Sequence, residues 1–98
     1  EESKNLPEKK FSTGVITATI WKNQGVSKHG EIREYRTVSL QRRYADKNGV
    51  WKSTASLRVN DLPKAALVLN KAYEYLVLRE IGGAEENPNE VLEEEIVM

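Results

Sequence analysis

Residues 38–76 read VSLQRRYADKNGVWKSTASLRVNDLPKAALVLNKAYEYL, and this stretch decides the fold. Its opening alternates apolar and polar residues, the period of a half-buried strand. ADKNG at 45–49 is dense in turn residues, and Gly49 can take a positive φ. VWKSTASLRV at 50–59 then reads as the returning strand. Pairing residues whose numbers sum to 95 sets Val38 against Leu57, Leu40 against Ala55 and Tyr44 against Trp51. The alternate positions pair Thr37 with Arg58, Ser39 with Ser56, Gln41 with Thr54 and Arg43 with Lys52. One face is then largely apolar and the other polar, the matching that fixes a register. Tyr44 and Trp51 are expected to pack as a cross-strand pair beneath the sheet.

The end of the same stretch predicts a helix. Asp61 or Asn60 caps it, Pro63 sits in the first turn where its missing N–H costs nothing, and Gly82 and Gly83 stop it. Leu62, Ala65, Ala66, Leu69, Ala72, Tyr73 and Leu76 form a stripe with helical spacing, expected to cover the sheet. A second stripe of Leu67, Val68, Tyr75 and Leu78 is left over. A homodimer packed through these four positions is expected in preference to a monomer with a sticky helix.

Working outward, FSTGVITATIWKN at 11–23 and EIREYRTVSLQRRY at 31–44 are strand-like, joined by a Gly-containing loop. Ile16, Ala18 and Ile20 fall on one face, and Thr17, Thr19 and Trp21 on the other. The fold class that follows is α+β. A curved antiparallel sheet of three to four strands, the fourth arising from a bend at Gly14 or a break near Glu34, precedes one C-terminal α-helix packed on one face. The domain spans residues 11–81, between a flexible polar arm (1–10) and a disordered acidic tail (82–98) whose last apolar cluster can serve as a docking motif.

The formal net charge of zero conceals a segregation. Residues 9–79 carry fourteen Lys and Arg against five acids, a net of +9, whereas residues 80–98 hold seven glutamates and no basic residue. A basic body with an acidic tail suggests a polyanion binder, with the tail competing for the same groove. Other classes recede. There is no cysteine, and a single His29 stands without a nucleophile motif. No carboxylate pair has catalytic spacing and no Gly-rich loop opens a helix. A non-enzymatic protein without cofactor or metal is expected. No apolar run reaches about 18 residues, so a cytoplasmic location is expected.

The outward sheet positions carry Trp21, Arg33, Tyr35, Gln41, Arg43, Lys52, Thr54 and Arg58 among Thr17, Thr19, Thr37, Ser39 and Ser56, without an acid. Cations neutralise phosphates, rings stack on bases, and hydroxyls and amides bond sugar or base edges. These eight side chains are therefore the expected contacts for single-stranded DNA or, on the same face, RNA. Two readings of Trp21 stay open, on the face or folded over the sheet edge. An adaptor that uses the apolar helix face is the competing class.

The Arg43-Tyr44 strand end, the Asp46–Gly49 turn, the following strand and the polar-capped helix together resemble the positive-cofactor-four-like, Whirly-related single-stranded DNA-binding proteins over residues 38–76. The resemblance implies a curved antiparallel sheet backed by a helix, dimerisation through helices, and a single strand gripped by the strands of both subunits. The chain departs from that pattern in lacking a Gly-rich approach to the last strand.

Overall fold

A computed structural model describes residues 4–78 and 92–96. The chain forms β1 (Lys4–Thr13), β2 (Ile16–Val26), β3 (Ile32–Ala45), β4 (Trp51–Thr54), a 3₁₀ turn (Val59–Asp61), α1 (Leu62–Val77) and β5 (Leu92–Glu95). The architecture is α+β, an open five-stranded sheet of order β4-β3-β2-β1-β5 with one helix packed on it. The first four strands are an antiparallel meander; β5 runs parallel to β1, so the sheet is mixed.

Several expectations change here. The run from Phe11 to Asn23 is two strands, because Gly14, at φ +59°, turns the chain between Thr13 and Ile16. Glycine at the first central position of a two-residue hairpin matches the twist of the flanking strands. Residues 4–10, expected as a flexible arm, are the first part of β1 and pair along β2. The polar composition hid this strand, because its apolar positions are few and a bulge at Glu8 breaks its alternation. Residues 92–96, expected as disordered tail, add to the sheet edge: Leu92–Glu95 pair with Lys9–Ser12, and the Ile96 N–H donates to the Ser12 carbonyl at 2.7 Å. The remainder of the tail, Gly82 and Gly83 included, lies outside the described residues.

The core lies between α1 and strands β1 and β2. Phe11, Ile16, Ala18 and Ile20 from the sheet meet Ala65, Val68 and Ala72 from the helix, with Leu40, Leu57, Tyr75, Leu76 and Ile96 at its margin. Small residues at 65 and 72 let the helix sit close to the sheet. The helix is thus rotated from the expected stripe: Val68 is wholly buried, while Leu62, Leu69 and Tyr73 are exposed. Glu8, displaced by the bulge, reaches the helix side, accepting from Arg36 Nε at 2.9 Å and from the Tyr75 hydroxyl at 2.7 Å. Among the described residues no helix is long and apolar enough to cross a membrane.

Candidate nucleic-acid interface

The register of the β3–β4 hairpin decides which side chains share the open face. The pairs are Arg42–Thr54, Arg43–Ser53, Tyr44–Lys52 and Ala45–Trp51, one residue displaced from the expected pairing. The turn causes the displacement. The Asp46 carboxylate accepts the N–H groups of Asn48 and Val50, both at 2.9 Å, and the Asp46 N–H donates to the Val50 carbonyl. The loop therefore closes on Asp46 and Val50 around three residues, with Gly49 at φ +79°. The Val50 N–H bond, with further bonds from Asn48 and Lys52, holds the Asp46 carboxyl below its usual range against the opposing cost of burial.

A one-residue slip exchanges the faces of a strand. Trp51, expected beneath the sheet with Tyr44, lies on the open face, 58% exposed. The Arg43 guanidinium stacks over its ring at 5.0 Å. Lys52 and Thr54, expected on the open face, belong to the helix side, where Lys52 meets Asp46 at 3.3 Å. The apolar matches at Ala55 and Leu57 play no part, since β4 ends at Thr54. There the chain leaves the sheet, its Ser56 carbonyl held by Arg42 Nε at 3.1 Å.

Arg58 is likewise off the sheet. Its backbone N–H donates to Asp61 Oδ2 at 2.8 Å and its Nε to the same oxygen at 3.2 Å. Arg42 approaches that oxygen at 3.4 Å. Asp61 thus precedes the helix without a capping bond to it; it locks the 3₁₀ turn to β3 instead. The Arg58 side chain, then its N–H, hold the Asp61 carboxyl below the usual carboxylate range, outweighing burial, with the Arg42 charge adding to the effect.

The remaining expected residues do share the open face. Trp21 lies across from Thr37, half-buried, and its Nε1 donates to Ser39 Oγ at 2.9 Å. The indole therefore runs along the sheet over the Thr19–Ser39 pair rather than over an edge, which accounts for the burial of Thr19. Asn23, buried beside it, donates to Thr37 Oγ1 at 3.1 Å. Tyr35 is 50% exposed, its ring over Gly25. Gln41 and Arg43 are exposed further along β3, and Arg33 is exposed with Glu31 at 2.9 Å. Thr17 lies on this face as expected; register adds Lys10 and, against the expectation of a face without acids, Glu95 at the far edge beside Ser12.

Most ion pairs of the sheet gather on the helix side. On the helix side Lys9, Lys22, Arg36, Arg42 and Lys52 each meet a carboxylate within 4.0 Å, of Glu94, Glu34, Glu8, Asp61 and Asp46 respectively. The open face instead carries three rings. Trp21 and Tyr35 cluster near one end, and Trp51 with Arg43 stands at the other. Trp21 registers with Thr37 and Trp51 with Ala45, eight residues along β3, a separation of roughly 27 Å. Thr37, Ser39 and Gln41 fill the interval with hydroxyl and amide groups.

Of the expected dimer stripe, Val68 is buried in the core, Leu67 and Tyr75 are half-buried, and Leu78 is exposed. These four do not form one accessible surface. The exposed helix stripe is Leu62, Leu69, Tyr73 and Val77. No group of three metal-ligating side chains occurs among the described residues. Comparison with protein-family models, curated proteins and solved structures finds no match.

Proposed function

We propose that the open face binds single-stranded nucleic acid without catalysing a reaction, in the cytoplasm where such strands are met. One observation carries this reading: Trp21, Tyr35 and Trp51 share a sheet face with Lys10, Arg33 and Arg43, while most carboxylates lie on the other side. Exposed rings offer stacking surfaces to any base, and cations track the phosphates. The half-buried Trp21, fixed by Ser39, is preorganised, so little conformational freedom is lost on stacking. The interval between the ring clusters equals about eight nucleotides at 3.4 Å each in a stacked strand. A duplex hides its base faces, and the only helix among the described elements is too apolar to read a groove. DNA and RNA both satisfy this chemistry.

The test is anisotropy of labelled single strands and duplexes, of DNA and RNA, at matched length. Tighter binding of single strands, with a tryptophan fluorescence change, supports the reading; equal or tighter duplex binding counts against it. A second reading, a protein-interaction adaptor, is favoured by the exposed helix stripe, where Tyr73 is 65% and Val77 53% exposed. Under that reading Tyr73→Glu abolishes partner capture and leaves nucleic-acid binding unchanged.

A further inference from the structure

Most of the outer edge of β3 has no neighbouring strand among the described residues, since β4 covers only Arg42–Ala45 and leaves Ile32 to Gln41 without one. The direction of the backbone groups along this edge follows from two bonds. The Arg43 N–H donates to the Val15 carbonyl on the β2 side, and the Asp46 N–H donates to the Val50 carbonyl on the β4 side. Direction alternates along a strand. Odd-numbered residues therefore turn their N–H and C=O toward β2, and Ile32, Glu34, Arg36 and Val38 turn theirs outward. A long edge of this kind is normally shortened, bulged or covered. Here it also carries apolar side chains that α1 leaves uncovered: Ile32 is 73% and Val38 39% exposed.

We infer that two chains join antiparallel along this edge, with the two-fold axis at Tyr35, into one continuous sheet. Outward backbone groups must face outward backbone groups, so even residues pair with even ones. An axis at Glu34 would set that carboxylate against its own copy, and an axis at Arg36 would oppose two guanidinium groups. An axis at Arg33 or Thr37 sets charge against apolar residues. Only the axis at Tyr35 places Glu34 opposite the partner's Arg36 and Ile32 opposite the partner's Val38, each twice. Charges that would repel a stranger at this edge thus select a second copy. Tyr35 then stands beside the partner's Tyr35, and the two open faces become one surface. The inference rests on β3 alone and holds whether or not that surface takes nucleic acid.

Single-cysteine variants of the full chain test it, since the chain has no thiol of its own. Tyr35 forms a non-hydrogen-bonded pair with its copy, with Cα atoms about 4.5 Å apart, inside disulfide range. Tyr35→Cys is expected to oxidise to a covalent dimer. Thr37→Cys and Arg33→Cys, each roughly 13 Å from its own copy, are expected to stay monomeric on denaturing gels but to link when mixed. Light scattering should give twice the chain mass for the native sequence and half of that for Glu34→Arg, with circular dichroism confirming that the variant folds. A native chain that is monomeric at all concentrations overturns the inference. A dimer in which Tyr35→Cys stays unlinked overturns it too; linkage through Tyr73→Cys would then place the contact on the helix.

Discussion

Trp51 is the residue on which the surface reading turns. Apolar pairing places it beneath the sheet, yet it lies in the open beside Arg43 because the Asp46 carboxylate sets the loop length. If it stacks on a base, Trp51→Ala should weaken single-strand binding by about 1–3 kcal/mol, or roughly 5- to 150-fold. Folding should be unaffected, because the ring is exposed. Equilibrium titration checks this, and unchanged affinity would confine stacking to Trp21 and Tyr35. Asp61 makes a prediction of the opposite kind. Its folded carboxyl titrates below the ordinary value of 3.8. Its contribution to stability is therefore complete at neutral pH and is lost as pH falls through the folded value. Asp61→Asn should lower the thermal midpoint at neutral pH, and its disadvantage should shrink on acidification. A constant difference down to strongly acidic pH would place the effect in packing instead.

At the scale of elements, strand β2 and the existence of α1 were legible because their periods are regular. Ile16, Ala18 and Ile20 do face the helix, and Thr17, Thr19 and Trp21 do face away. The helix rotation was less legible. Leu62 and Leu69 look like core residues, but Ala65 and Ala72 allow a closer approach, and close packing around Val68 outweighs burying the larger leucines. The β3–β4 register escaped because apolar matching assumed a strand that continues to Val59, whereas it ends at Thr54. The signal was present in the turn: an Asp followed three residues later by Gly fits a three-residue loop. Gly49 has open space around its missing side chain and φ +79°, so Gly49→Ala should cost about 1–2 kcal/mol from backbone strain alone. Denaturant unfolding measures it, and a neutral result would mean that the loop adopts another closure.

At the scale of the molecule, the charge that is segregated along the chain is redistributed over the sheet: five cations of the helix side meet carboxylates, while Lys10, Arg33 and Arg43 share the open face with Glu31 against Arg33 and Glu95 at the edge. Composition shows the segregation but not the redistribution, because ion pairs such as Arg36–Glu8 join residues far apart in sequence. Strand β5 was illegible for a related reason, since its partner lies some eighty residues earlier. Glu94 contacts Lys9 at 3.7 Å, and Glu95 shares the open face at its edge. Deleting residues 82–98 removes six glutamates and the Ile96 cover. It should tighten polyanion binding at low salt while lowering the thermal midpoint; unaltered affinity would leave the tail no role at the surface. The claim beneath all of this is that the ring-bearing face takes unpaired bases. The most direct measurement is a salt series comparing a labelled single strand of roughly twelve nucleotides, within the size range of such sites, with its duplex. Tighter binding of the single strand is expected, with a log–log salt slope of about −0.7 per neutralised phosphate and a tryptophan fluorescence change on binding. A duplex bound as tightly, with the tryptophan signal unmoved, would contradict the claim.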